Sequence, residues 1–288
     1  MNHSYTIVTD SGSDLPMYLA DELGVKIIPL SVLVEGEAPV DDDKVDRKEF
    51  YDKMRGGKTA TTSAVNIEQF TTAFESVLSE GQDLLYLGFS SGLSSTYQAS
   101  VAAAEDLRER YPERKILTVD TLCASLGEGL LVYHATKQRD EGKTAEEVLE
   151  WVKNNRLNLA HWFTVDSLVY LKRGGRVSAA TALLGGMLNI KPVMHVDDEG
   201  HLVKVSVARG RNASVKAMFD KIGETAIEPE KQVYFISHGD CLEDAEKLAS
   251  MIREKYGDVK IVIGYVGAVI GAHSGPGTLA LFFLGTTR

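Results

Sequence analysis

The chain has 288 residues, of which 44% are apolar and 25% charged, ordinary values for a soluble globular protein that exclude a disordered one. Its net charge of −10 predicts no nucleic-acid partner, because binding phosphate backbones needs a basic face. The amino terminus runs directly into a predicted strand, so we expect no signal peptide, and no apolar run reaches the roughly 18 residues of a membrane span. Two cysteines, Cys123 and Cys241, are too few for a disulfide framework, so we expect a cytoplasmic protein with free thiols.

Strands and helices alternate in the first half of the chain. Hydrophobic patterns predict strands at residues 5–9, 25–34, 84–89 and 115–119, and helices at residues 14–23, 96–111, 125–142 and 144–155. Capping patterns at Asp46–Glu49 and Asn66–Gln69 open two further helices. This alternation predicts a parallel sheet with helices on both faces, an α/β/α domain.

The second half has a different pattern. A predicted hairpin joins residues 192–196 and 202–207, further strands are predicted at residues 161–165, 233–237 and 260–264, and helices at residues 213–225 and 242–252. The glycine-rich tail at residues 264–277 is predicted to be extended. We therefore expect an α/β protein of two domains, residues 1–160 and residues 161–288, the second an α+β domain with a mixed sheet and helices on one face.

The segment Gly56-Gly57-Lys58-Thr59 ends like a Walker A loop. The complete motif needs a glycine where this chain has Asp52, and it should follow a strand, whereas these residues follow a predicted helix. We interpret the segment as a helix end, which argues against a kinase acting on its own.

Residues 88–92 read Gly-Phe-Ser-Ser-Gly, a literal G-x-S-x-G motif centred on Ser90. A strand before it and a helix after it are the context of a nucleophile elbow, and Asp166 or Asp240 precedes His273 in the order of a hydrolase triad. Against this, Leu-Ser-Ser separates the motif from the helix, and no HGGG-like oxyanion loop lies upstream. A serine hydrolase using Ser90 therefore stays as the alternative to a binding protein.

Two clusters of hydroxyl side chains suggest an anion site. Residues 90–96 contain five hydroxyls before a helix, whose amino-terminal N–H groups can hold a carboxylate or phosphate. The simpler interpretation is that Ser94 or Ser95 only caps that helix. The second cluster, residues 59–63, is predicted to be a loop between two helices, where solvated hydroxyls are ordinary. Both clusters could meet at the carboxyl edge of a parallel sheet, where ligands bind.

His273 lies among the glycines of the tail, so it could reach an anion unobstructed, although a lone histidine is more often structural. The other histidines of this half lack the spacing of metal ligands, and we predict no metal site. Arg176, Arg209 and Arg211 lie in short basic clusters that could meet a phosphate or an acidic partner.

Six motifs, in this order, resemble the bacterial DegV family, which includes the fatty acid-binding subunits of fatty acid kinase. They are Ile-Val-Thr-Asp-Ser at 7–11, Thr-Ser at 62–63, Ser-Ser-Gly-Leu-Ser-Ser-Thr-Tyr at 90–97, Val-Asp-Thr at 119–121, Tyr-Leu-Lys-Arg-Gly-Gly-Arg-Val-Ser at 170–178 and Gly-Ala-His-Ser-Gly-Pro-Gly at 271–277.

The resemblance implies a parallel-sheet amino-terminal domain and a carboxyl-terminal domain with a mixed, mostly antiparallel sheet. It implies a long-chain fatty acid bound between them as ligand, with no cofactor. The carboxylate would lie among five residues, Thr62, Ser63, Ser94, Ser95 and His273.

The resemblance also implies a partner. In the family's kinase system a separate ATP-binding subunit phosphorylates the bound carboxylate, so this chain would be a non-catalytic subunit rather than an enzyme. Arg209 and Arg176 would face that subunit or the new phosphate. A protein that exchanges fatty acids could also make transient contact with a membrane.

Overall fold

The computed structural model describes residues 4–177 and 189–288. Its strands are β1 Tyr5–Asp10, β2 Val25–Ile28, β3 Ser31–Val34, β4 Val40–Asp41, β5 Ala60–Ser63, β6 Asp83–Gly88, β7 Ile116–Asp120, β8 Leu159–Thr164, β9 Ile190–Val196, β10 Leu202–Arg209, β11 Val233–His238, β12 Lys260–Tyr265 and β13 Leu279–Leu284. Its helices are α1 Met17–Leu23, α2 Arg47–Arg55, α3 Ile67–Leu78, α4 Thr96–Arg110, α5 Leu126–Asp140, α6 Ala145–Asn155, α7 Val169–Arg173, α8 Arg211–Thr225, α9 Leu242–Tyr256 and α10 Ala268–Ser274. Ser178, at the end of the basic motif, lies outside the described residues.

The predicted parallel sheet is confirmed, with the strand order β2-β1-β6-β7. Successive residues of a strand point to opposite faces, and β6 is apolar on both. Leu84 and Tyr86 belong to the core formed with α3 and α4, whereas Leu85 and Leu87 belong to the core formed with α5 and α6. Helices therefore cover both faces of this sheet, as the alternating pattern predicts.

A second sheet has the order β10-β9-β8-β13-β11-β12, and only its β11–β12 pair is parallel. The expectation of a mixed, mostly antiparallel sheet is thus confirmed. Helices α8 and α9 cover one face, where Tyr234 and Ile236 are buried. The prediction of helices on one face only is wrong, because α5 from the first half of the chain packs on the other face.

Helix α5 lies between the two sheets, and its first eight residues are all buried. A helical segment that is buried on all sides has no polar face, so the side chains of this first half are mostly apolar, for example Leu130 and Leu131. They share one core with Leu85 of β6 and with Phe235 and Phe282 of the mixed sheet. The division at residue 160 stays a prediction, since this core joins both halves of the chain.

A third, small antiparallel sheet has the order β4-β3-β5. Two expectations were wrong here. Residues 25–34 form two strands in different sheets, since Pro29 lacks the N–H that a continuous ladder would need. Residues 60–63 are not a loop but the strand β5, because their backbone pairs with β3, about thirty residues earlier in the chain.

The glycine-rich tail is not extended throughout, since residues 268–274 form α10. Two contacts from the first half of the chain explain this helix. The carboxylate of Asp42 accepts a hydrogen bond from the Val269 N–H at 2.9 Å, which satisfies a free donor at the helix start. A Cβ on Gly271 would lie 2.5 Å from the hydroxyl oxygen of Tyr51, so only glycine permits this approach.

Candidate functional site

A cavity of about 260 Å³ lies between the carboxyl edge of the parallel sheet and the mixed sheet. The loops after β6 and β7 form one wall and α10 another. In the strand order β2-β1-β6-β7 the connections reverse direction between β1 and β6, and such switch points are where open α/β sheets bind ligands. Much of the wall is apolar and includes Leu30, Phe89, Leu93, Phe163, Leu171, Val196, Leu202, Val266, Val269, Ile270, Ala280 and Phe282.

Five polar side chains that line this cavity form a group that we call the polar mouth: Thr62, Ser94, Ser95, Arg176 and His273. Thr62 Oγ1 lies 2.8 Å from His273 Nε2, so residues 211 positions apart in sequence form a hydrogen bond. Thr62 lies on β5 and His273 on α10, and these two elements pack together. Four of the five predicted ligand-binding residues thus line one cavity.

His273 is a neutral imidazole at physiological pH. Burial, and then the positive charge of Arg176, lower the pKa of His273 to about 4. Its Nδ1 is buried and has no hydrogen-bond partner among the described residues. A Cβ on Gly174 would lie 2.1 Å from that nitrogen, so the glycine leaves room for the ring. His273 can therefore donate one hydrogen bond as a neutral tautomer, rather than attract an anion by charge.

Ser94 hydrogen-bonds at the start of α4 and also lines the cavity. Its Oγ accepts a hydrogen bond from the Thr96 N–H at 3.2 Å and lies 2.8 Å from Thr96 Oγ1, so it satisfies one free donor at the start of α4, whose N-cap residue is Ser95. It also lines the cavity, as does the exposed Ser95. The amino terminus of a fifteen-residue helix therefore stands beside the cavity, where its partial positive charge favours an anion.

Ser63 and the two arginines are placed differently. Ser63 is exposed on β5 and, one residue after Thr62, points to the other face of the strand; it does not line the cavity. Arg176 lines the cavity and donates from Nε to the Leu93 carbonyl at 3.2 Å, and its guanidinium also contacts the Gly174 carbonyl. Arg209 is exposed at the end of β10, away from the cavity wall.

The residues of a hydrolase triad are not assembled around Ser90. The Ser90 side chain is buried and donates to the Gly200 carbonyl at 2.9 Å. His273 contacts Thr62 instead, and Asp166 forms an ion pair with Lys191 at 2.7 Å. The G-x-S-x-G segment therefore packs the loop after β6 of the parallel sheet against the hairpin turn of the mixed sheet.

Sequence reasoning missed a second group of hydroxyls on the cavity wall: Ser125, Ser237, Ser274 and Thr278. Ser125 Oγ donates to the carboxylate of Asp14 and lies 3.0 Å from Ser237 Oγ. Burial, more than the neighbouring charge of Asp42, raises the pKa of Asp14 to about 8. Ser125 and Ser237 belong to no motif and are far apart in sequence, so no local signal could have identified them, whereas Ser274 directly follows His273 in the motif at residues 271–277.

Within residues 4–177 and 189–288, no helix is both long and apolar enough to cross a membrane. The same residues contain no group of three or more histidine, cysteine, aspartate or glutamate side chains arranged to hold a metal ion.

Comparisons with known proteins agree with this geometry. A family model described as "Uncharacterised protein, DegV family" matches residues 4–286. A DegV domain-containing protein of Clostridium perfringens is 46% identical over 286 residues, which are 99% of this chain and 98% of the relative. The solved structure of a DegV family protein from Thermus thermophilus, described for its fatty acid binding, matches with a TM-score of 0.88 and 33% identity over 97% of this chain and 98% of that one. The fatty acid kinase B3 protein of Streptococcus pneumoniae, loaded with linoleic acid, shares the fold with a TM-score of 0.85 at 20% identity, over 98% and 99% of the two chains.

Proposed function

The chain belongs to the DegV family, and on that premise we propose that it binds a long-chain fatty acid, with the carboxylate at the polar mouth and the acyl chain in the apolar cavity. One observation carries the proposal: an apolar cavity between the two sheets has neutral hydrogen-bonding groups, Thr62, Ser94 and His273, gathered on its wall. The fatty acid binding described for the Thermus thermophilus protein supports it.

The two ends of such a ligand would contribute differently. Each buried methylene is worth about 0.8 kcal/mol, so the chain can supply most of the affinity. The carboxylate needs hydrogen bonds that replace its water, and hydroxyls, N–H groups and a neutral imidazole can provide them. Arg176 also lines the polar mouth, but its guanidinium donates to the Leu93 and Gly174 carbonyls. We infer that it does not form a tight two-bond pair with the carboxylate, which therefore stays nucleophilic.

We also propose that the chain presents this carboxylate to a separate ATP-binding kinase subunit and performs no chemistry itself. The likeness of fold to the pneumococcal fatty acid kinase protein is compatible with that role. Arg209 is the residue we assign to the partner, because its exposed guanidinium could meet an acidic surface or a phosphate. The phosphorylation step would take place in the cytoplasm.

Binding is tested with the purified full chain, by native mass spectrometry for an acyl chain carried from the host and by titration with palmitate or oleate. Thr62→Val removes one hydroxyl from the polar mouth at nearly constant volume. We expect about a tenfold or greater loss of fatty acid affinity, since a hydrogen bond to a charged group is worth about 1.5–3 kcal/mol. The methyl ester of the same acid should lose less.

The matched control is Thr61→Val, which changes the adjacent, exposed threonine of the same strand. It should leave binding unchanged. Finding neither a carried acyl chain nor uptake of added fatty acid would refute the proposed ligand, and equal losses for both variants would refute the role of Thr62.

A further inference from the structure

Three serine hydroxyls lie on the cavity wall without a hydrogen bond to Thr62 or His273. Ser125 and Ser237 face each other at 3.0 Å, and both are buried. Ser274 is only 5% exposed, lines the cavity, and its Oγ has no hydrogen-bond partner in the described chain. A buried hydroxyl left without a partner is costly, and an unsubstituted acyl chain offers it none.

The Ser125–Ser237 pair also has unused hydrogen-bonding capacity. The single proton of Ser125 is directed to the Asp14 carboxylate, so Ser237 donates to Ser125 and its own lone pairs remain free. If a protonated Asp14 instead donates to Ser125, then Ser125 donates to Ser237. In that arrangement the proton of Ser237 is free. In either arrangement Ser237 has capacity left for one more partner.

Ser237 lies where a bound acyl chain could use this hydrogen-bonding capacity. In the mixed sheet, Phe163 pairs with Ala280 and Ala280 with Ser237, so the three side chains form one row on the same face. All three line the cavity. Because the side chains of Ala280 and Ser237 are small, this row leaves room on the cavity wall for an acyl chain to lie beside Ser237.

We propose that this serine group is a second polar subsite and that the ligands of this protein include long-chain fatty acids carrying a hydroxyl group on the chain. A hydroxyl suits the site because it both donates and accepts, which satisfies Ser237 in either arrangement and gives Ser274 a partner. The inference rests on the proposed function, since it specifies the class of fatty acid that the same cavity would take.

The test compares stearic acid with a set of hydroxystearic acids that differ in the position of the hydroxyl. Affinities are measured by titration of the full chain after removal of bound lipid. We expect at least one isomer to bind as tightly as stearic acid or more tightly. Ser237→Ala or Ser274→Ala should weaken that isomer by about tenfold and leave stearic acid unchanged or slightly tighter.

The matched control is Thr164→Val, which removes a hydroxyl that is also fully buried and without a partner but does not line the cavity. It should alter neither affinity. Thermal unfolding of each variant shows whether it is folded before its affinities are compared.

Two results would overturn the inference while leaving the proposed function intact: stearic acid binds but every isomer binds at least tenfold more weakly, or the serine variants weaken both ligands equally. If neither stearic acid nor any isomer binds, the proposed function and the inference both fall.

Discussion

Three carboxyl side chains lie near the carboxyl edge of the parallel sheet, the buried Asp10 and Glu128 and the half-buried Asp14, and each is held differently. Asp10 accepts hydrogen bonds from Tyr86 Oη at 2.5 Å, from the Phe89 N–H at 3.0 Å and from the Gly12 N–H at 2.8 Å. It thereby fixes the start of the loop that carries Phe89 into the cavity wall. Glu128 accepts from Thr9 at 2.7 Å, but its second oxygen has no partner in the described chain.

Burial raises the pKa of each of these groups, because the charged form loses its water. A carboxyl whose pKa is higher in the folded state binds more protons there than in the unfolded chain. The free energy of unfolding therefore falls as the pH rises from the unfolded pKa through the folded one. For Asp14 that interval runs from about 4 to about 8.

Asp14→Asn should flatten this dependence, since asparagine has no proton to lose. Asparagine also suits the backbone, because Asp14 has a φ of +50° and asparagine tolerates this left-handed region. Between pH 5 and pH 8.5 the variant should gain roughly 1–3 kcal/mol relative to the natural chain, at about 1.4 kcal/mol per unit of pKa difference. Urea unfolding at the two pH values measures this. The control is Asp43→Asn, which changes an exposed carboxyl group. The prediction would be contradicted if the difference in the free energy of unfolding between the Asp14 variant and the natural chain did not increase with pH.

At the scale of elements, α5 depends on two glycines in its first turn. A Cβ on Gly127 would lie 2.2 Å from His161 Nε2 and 2.8 Å from Phe282, and one on Gly129 would lie 2.9 Å from the Ser13 carbonyl. These contacts explain why a helix with glycines is retained here despite their low helix propensity. The glycines let α5 approach both the mixed sheet and the turn after β1.

Gly127→Ala should lower the free energy of unfolding by roughly 1–3 kcal/mol, the usual cost of overpacking a core, because His161 is fixed by its own hydrogen bond to the Leu159 carbonyl. It should also weaken fatty acid binding, since His161 and Phe282 line the cavity. The control is Gly223→Ala in α8, where the new Cβ would meet only the flexible end of Lys255 and the Tyr256 hydroxyl. That change should be neutral or stabilise by up to about 1 kcal/mol. Equal effects of the two substitutions would refute the argument.

Local signals predicted the elements that depend on local contacts. The capping box of α3 forms as expected, with Asn66 and Gln69 each bonding the other's backbone, and α2 ends at Arg55 with Gly56 as its C-cap. The elements that were missed depend on distant residues. Strand β5 needs its pairing with β3, and α10 needs the carboxylate of Asp42, 227 positions away.

The same distinction applies to the site. Thr62 and His273 were predicted together through resemblance to known motifs, not through any spacing in the sequence. Ser125 and Ser237 lie in none of those motifs, and Ser274, although it follows His273 in one of them, was not predicted as a site residue. Only the packing of α5 and α10 against the mixed sheet brings the three serines to one cavity.

At the scale of the whole molecule, the cavity wall formed by α10 is held by the first half of the chain. Tyr51 donates to the Val266 carbonyl at 2.8 Å, and Arg55 of the same helix donates to the Asp240 carbonyl at 2.9 Å and pairs with its carboxylate. Together with the bond from Val269 to Asp42, these contacts join α2 and its loop to the segments before and within α10. The site is thus formed by both halves, and fragments cut near residue 160 would lack it.

The exposed strand β10 leads from the hairpin to Arg209, so a partner docked there would lie at the edge of the mixed sheet rather than inside the ligand cavity. Arg209→Ala should leave fatty acid affinity unchanged and lower the rate of acyl phosphate formation with a purified ATP-binding kinase subunit by at least about tenfold, a loss of about 1.4 kcal/mol. The physical reason is the loss of a planar guanidinium that can donate two parallel hydrogen bonds to a carboxylate or phosphate. Lys204→Ala, an exposed cation on the same strand, is the matched control and should retain the rate. Equal loss of ligand binding and of phosphorylation in the Arg209 variant would show that this residue serves the cavity instead of the partner.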